Sequence, residues 1–115
     1  MSDEVQTGFG RTGKLFGVEH YGVSPDMLCL AKAIANGLPL GAYLARADIA
    51  DSFKPGDHLS TFGGNPVCCA ATLVNIEFML EEELPAKSQK NGEYTKARLD
   101  KLSEKHELIG DARGI

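Results

Sequence analysis

Apolar and polar positions change their rhythm several times along this chain. Residues 26–34 (DMLCLAKAI) form a continuous apolar run after Ser24-Pro25, and residues 38–45 (LPLGAYLA) form another after the turn pair Asn36-Gly37. Two strands, paired or lying close together, are predicted there. Residues 46–53 (RADIADSF) have helical character and stop at Lys54-Pro55-Gly56. The stretch DHLSTFGGNP is polar and glycine-rich, which predicts a loop. Asn65-Pro66 then has the form of an N-cap followed by proline in the first turn, opening a helix over 67–83 (VCCAATLVNIEFMLEEE). Between Val67 and Leu80 the apolar residues cover most of the circumference, so this helix is expected to be buried on more than one side. A second helix is predicted after Pro85, over 86–106. Its sparse apolar positions (Tyr94, Ala97, Leu99, Leu102) leave a wide charged face and put it at the surface. The closing ELIGDARGI predicts an incipient strand and a glycine turn. No internal repeat is visible.

The elements give an α/β order. Length adds a constraint, because 115 residues with 43% hydrophobic content suffice for one small domain that buries about two thirds of its unfolded surface. Two short strands and one surface helix are little cover for a helix apolar nearly all round, and Met1-Ser2 leaves no room for an apolar strand ahead of Asp3. The expectation is a piece of a larger subunit, truncated at both ends and carrying exposed apolar surface. The net charge of −4 with intermixed signs supports no nucleic-acid partner. No apolar run reaches the roughly 20 residues of a membrane span, and no signal-peptide pattern opens the chain, so a cytoplasmic setting without a membrane partner is expected. Cys29, Cys68 and Cys69 form neither a disulfide framework nor a metal-binding pair. They are expected to be buried reduced thiols. No His, Cys, Asp or Glu set has metal-ligand spacing, and no metal is predicted.

The spacing Gly8-Phe9-Gly10-Arg11-Thr12-Gly13 matches a dinucleotide-binding loop. Such a loop must follow a strand and open a helix. Here Gly17, Gly22 and Pro25 interrupt any 3.6-residue rhythm before a helix reaches useful length. The glycines are instead expected to permit tight turns at positive φ.

Different chemistry precedes them. Asp3, Gln6, Lys32 and the pair Ser60-Thr61 supply an acid, an amide, an amine and hydroxyls, each at the end of an apolar segment or in a glycine loop. Lys32 lies among Leu28, Cys29, Leu30, Ala31, Ala33 and Ile34. Such a lysine either sits at an edge with its stem snorkelling to water, or is held in a pocket where its amine is desolvated and able to attack a carbonyl. Spacing alone does not choose between these.

Taken in order, DEVQTGFGRTGKLF, PDMLCLAKAIANGLPLGA, HLSTFGGNP and the closing IGDARG resemble the class III, pyridoxal-phosphate-dependent aminotransferases, which include the 4-aminobutyrate, ornithine and acetylornithine enzymes. The resemblance runs from residue 3 to about residue 114. It implies part of the large cofactor-binding domain of a fold-type I aminotransferase, with residues 1–84 in that domain and 85–115 leading toward a C-terminal small domain. It implies pyridoxal 5'-phosphate as cofactor and transamination between an amino donor and a 2-oxo acid as activity. Asp3 would partner the pyridine nitrogen, Val5 would lie against one ring face, and Gln6 would bond the phenolic oxygen. Lys32 would hold the cofactor covalently and move protons, and Glu4 would point elsewhere. Thr61 would donate to the cofactor phosphate of the neighbouring subunit in a homodimer, with Ser60 at most a helper. Arg11, His20, His58 and Arg113 are expected to have structural or surface roles.

The family's glycine-rich phosphate loop, its ring-stacking aromatic residue and its carboxylate-binding arginine have no counterpart in these 115 residues. The chain by itself is therefore expected to bind the cofactor weakly and to be inactive. STFGGNPV resembles the 4-aminobutyrate and acetylornithine members more than the aminomutases, and the amino donor is otherwise unspecified. A competing reading makes the chain a non-catalytic remnant that acts only through subunit association of its apolar helix.

Overall fold

The computed structural model describes residues 1–115. Three short strands form one mixed sheet in the order β1-β2-β3: β1 Ser2–Asp3, β2 Met27–Leu30 and β3 Ala42–Ala45. β2 is central, parallel to β1 (Asp3 opposite Cys29) and antiparallel to β3 (Leu28 opposite Leu44). The apolar strand MLCL is half-buried over Met27–Cys29 and buried at Leu30. The predicted pairing of the two apolar runs is borne out, with shorter strands. β2 stops at Leu30 because Lys32–Ile34 form a 3-10 turn closed by the Ile34 N–H on the Ala31 carbonyl at 3.1 Å. Lys32 therefore lies just past the strand, at φ 49°. The second run pairs only over 42–45, since Leu30, the last residue of β2, stands opposite Ala42. Asp3 has a strand of its own, although only two residues precede it.

Helix α1 is a single turn, Ala47–Ala50, shorter than predicted. At its start Arg46 bonds Asp26 at 2.8 Å and Asp48 at 2.7 Å, tying β3 back to the residue before β2. Helix α2, Pro66–Glu81, begins as the sequence indicates. The Asn65 side chain accepts the N–H groups of Val67 and Cys68 at 3.0 and 3.3 Å, and Pro66 occupies the first turn. At Glu83 (φ 50°) the chain turns into α3, Leu84–Ser103, with Pro85 in its first turn. Residues 107–115 form no strand.

The 3-13 region contains no helix, only turns followed by a 3-10 segment over Gly17–Tyr21. Gly10 and Gly13 have positive φ, as expected of turn glycines, but Gly8 does not. Gly8 is required for space: a Cβ there would stand 2.7 Å from the Glu4 carbonyl oxygen. At Gly13 both demands coincide, with φ 92° and a Cβ position 2.8 Å from Gln89 Cβ on α3. The loop and α3 are thus packed backbone against helix, and Ser88 Oγ adds a hydrogen bond to the Arg11 carbonyl at 2.9 Å.

The core is small and sits under the sheet, where Leu30, Ile34 and Ala35 are buried and Phe9, Phe16, Leu40 and Ala42 pack around them. Phe9 and Phe16 meet edge to face at 5.8 Å. The radius of gyration is 17.8 Å, against about 13 Å for a compact chain of this length. The molecule is elongated, 58 × 28 × 25 Å, and helix α2 is little covered. Only Cys68 and Met79 are buried on it, while Val67, Leu73, Val74, Phe78 and Leu80 are exposed. The expected burial on several sides does not occur within this chain, because it is chiefly the Lys32–Ile34 turn and α3 that pack against it. Of the three cysteines, all free, Cys68 is buried, whereas Cys29 and Cys69 are only half-buried.

Candidate active site

The site gathers at the carboxyl ends of β1 and β2, where parallel strands of open sheets commonly present ligand-binding loops. β1 delivers Asp3. Its Oδ1 accepts the Val5 N–H at 3.0 Å, its Oδ2 makes no hydrogen bond, and the residue is exposed. The chain then turns, closed by the Gly8 N–H on the Glu4 carbonyl at 2.9 Å. Val5 and Gln6 lie inside this turn. β2 delivers the 3-10 turn with Lys32, and Lys32 Nζ donates to Gln6 Oε1 at 2.5 Å. Val5, Gln6 and Lys32, with Arg11, Ala33 and Asn36, line one open cleft of about 290 Å³.

Three of the five sequence-predicted site residues therefore share a cleft. Asp3 stands at the adjacent strand end, outside its lining, and Thr61 lies in the exposed 57–65 loop, away from it. Lys32 is exposed rather than buried, since within these 115 residues nothing closes the cleft above it. Val5 is half-buried in a turn rather than in a strand, with its apolar surface in the cleft.

Two supporting residues escape sequence reasoning. Glu4 does point away from the cleft, but it is the most buried side chain of the molecule, 1% exposed. Its Oε1 accepts from the Val18 N–H at 2.7 Å and Ser2 Oγ at 3.2 Å, and its Oε2 from the Gly17 N–H at 2.9 Å and Thr7 Oγ1. Burial pushes this carboxyl up. The bonds from Thr7, Val18, Gly17 and Ser2 outweigh burial and hold it below the usual carboxylate range. Asn75 is the second. From the middle of α2 its Nδ2 donates to the carbonyls of Ala33 at 2.7 Å and Ile34 at 3.2 Å, bracing the turn that carries Lys32. Its signal was present as an amide in a run of α2 whose other polar residues before Leu80 are Thr72 and Glu77. Glu4 offered none, because its backbone donors lie 13 and 14 residues downstream.

The donor set fits the ring end of pyridoxal 5'-phosphate: an amine for an aldehyde, an amide beside it, a free carboxylate oxygen for a ring nitrogen, and an apolar side chain for a ring face. For the phosphate, Thr61 offers a hydroxyl from an exposed glycine-rich loop. The arrangement can hold and orient a cofactor and can relay a proton through the Lys32 amine.

The family description Aminotransferase class-III matches residues 1–115. Acetylornithine aminotransferase of Caldanaerobacter subterraneus is 50% identical over 112 residues, 97% of this chain and 28% of that protein. The leucine/methionine racemase of Thermococcus litoralis is 49% identical over 112 residues, covering 97% of this chain and 25% of the racemase. Among solved structures, the acetylornithine aminotransferase of Elizabethkingia anophelis superposes with a TM-score of 0.89 at 45% identity, over 96% of this chain and 28% of that one. An ornithine aminotransferase of Toxoplasma gondii, described with partial occupancy of PLP at its active site, superposes at 0.82 with 39% identity, over 86% of this chain and 24% of its own. The chain thus spans about a quarter of the length of the proteins it matches, and its strands and helices are those of the corresponding part of these aminotransferases. A match over the whole chain, in sequence and in fold, means that the chain belongs to the class III aminotransferase family.

Proposed function

We propose that the full-length protein catalyses pyridoxal-phosphate-dependent transamination in the cytoplasm, moving an amino group from an amine or amino acid of the omega-amino type, such as 4-aminobutyrate or acetylornithine, to a 2-oxo acid. One observation carries this reading: a lysine amine held by an amide oxygen, in a cleft beside a strand-end carboxylate. When bound, the cofactor supplies an electron sink for charge developing on the substrate carbon. Lys32 would hold the cofactor through its amine, and the same amine would serve as general base and acid at the substrate carbon. Gln6 orients the Lys32 amine and offers its N–H₂ to the ring oxygen. Asp3 would keep the ring nitrogen protonated, and Val5 would exclude water from one ring face. Thr61, outside its own chain's cleft, serves the phosphate in the site of a neighbouring subunit of a homodimer.

The test is covalent capture. Full-length protein incubated with pyridoxal 5'-phosphate and reduced with borohydride should carry the cofactor on Lys32 by peptide mass spectrometry, and an unlabelled Lys32 would falsify the reading. The racemase relative defines a competing outcome, since both reactions begin by removing a proton at the substrate carbon. Consumption of a 2-oxo acid marks transamination, whereas inversion of the amino acid without it marks racemisation. The exposed apolar face of α2 favours a second reading, a non-catalytic chain acting only by subunit association. That reading is distinguished by concentration-dependent association with Lys32 left unlabelled.

A further inference from the structure

Glu4 is a buried carboxylate without a cationic partner, and neither its charge nor its position is used by the chemistry described so far. No lysine, arginine or histidine pairs with it, and its four donors are two hydroxyls and two backbone N–H groups. Its main chain is fixed as well: the Glu4 N–H donates to the Cys29 carbonyl on β2 at 2.9 Å, and its own carbonyl accepts from Gly8. Thr7 is held by the Glu4 carboxylate. Only Val5 and Gln6 lie between these two anchored residues, and both face the cleft that holds Lys32.

We propose that Glu4 is a positioning residue: by anchoring the turn at Thr7 and against Gly17-Val18, its carboxylate sets the direction of Gln6 and thereby the placement of the Lys32 amine for the cofactor. The inference rests on the transamination reading for its purpose, but its geometry does not. A carboxylate presents four lone-pair sites to four donors. Glutamine has the same shape and replaces one oxygen with N–H₂, so two donors would face another donor, one of them a buried backbone N–H. The turn must then shift to relieve the conflict.

The experiment uses the full-length protein and the variants Glu4→Gln, Thr7→Val and Gln6→Ala. In Glu4→Gln, cofactor affinity should fall by about tenfold, and the visible band of the lysine-bound cofactor should titrate at a shifted midpoint, in the same direction as in Gln6→Ala. The double variant should titrate like Gln6→Ala alone. Thr7→Val removes one donor and keeps the charge, so it should produce a smaller shift of the same sign, and it decides the matter if Glu4→Gln fails to fold. A band and midpoint identical to wild type in folded variants of lowered melting temperature would make Glu4 a purely structural residue and overturn the proposal. Crystal structures of the cofactor-free forms give a separate reading: Gln6 Oε1 should lie beyond about 3.5 Å from Lys32 Nζ in Glu4→Gln, and a retained contact counts against the idea. Absence of any lysine-bound chromophore in wild type would sink the proposed function alone, because the cofactor-free distance can still be measured.

Discussion

At the scale of single residues, Glu4 links stability to pH. Its folded-state carboxyl is held below the usual range, because the bonds from Thr7, Val18, Gly17 and Ser2 outweigh the upward push of burial. The sign follows from linkage. A depressed folded pKa stabilises the native state fully at pH above the unfolded value of about 4.3, and that contribution is lost as pH falls through it toward the folded value. At neutral pH, Glu4→Gln should destabilise the full-length protein by about 3 kcal/mol, since buried donors lose a charged acceptor. The gap between wild type and variant should narrow, by at most about 2 kcal/mol, as the buffer is taken from pH 6 to about pH 3. Urea midpoints measured across that range check it, and a constant gap would mean that Glu4 is not the titrating group. Sequence reasoning could not reach this residue. An acid between Asp3 and Val5 has the form of a solvated turn side chain, and its burial depends on a loop that returns to it from residues 17 and 18.

At the scale of elements, legibility follows the range of the forces. Helix α2 starts where Asn65-Pro66 places it, because an N-cap and a first-turn proline act within four residues. The pairing of β2 with β3 was equally readable from two apolar runs around Asn36-Gly37. Lys32 was not. An Ala-Lys-Ala-Ile stretch continues a strand as readily as it leaves one, and the left-handed backbone at Lys32 is imposed by packing of the next turn under the sheet. Part of that packing is the amide of Asn75, which satisfies two carbonyls of the turn. Replacing it with alanine leaves both without that donor and should cost about 1–2 kcal/mol, read as a lowered melting temperature. A control change at Glu77, exposed on the same helix, should leave stability within about 0.5 kcal/mol. Equal effects of the two substitutions would show that the brace contributes nothing.

At the scale of the whole molecule, the distribution of apolar surface governs solution behaviour. Five large apolar side chains of α2 are exposed, and the neighbouring loop adds Leu59 and Phe62, at 85% and 78% exposure. The buried hydrophobic residues are few: Leu30, Ile34 and Ala35 in one cluster, with Cys68 and Met79 on α2. A soluble monomer rarely carries a contiguous apolar patch of more than a few hundred Å², so the 115-residue chain prepared by itself should associate in a concentration-dependent way and bind hydrophobic dyes. Burial of Leu73, Val74 and Phe78 against another surface would stabilise the assembly by about 1.5–3 kcal/mol for each side chain fully covered. Substituting Leu73 and Phe78 together with serine removes two of these exposed side chains without touching Asn65, Asn75 or the cleft. Sedimentation velocity should then show a shift toward monomer, with α-helical circular dichroism retained because neither side chain is buried within the chain. The opposite result, a monodisperse wild-type monomer with a sharp cooperative melt, would mean that the 17.8 Å radius of gyration does not describe the chain in solution and that α2 folds back onto the rest of the molecule.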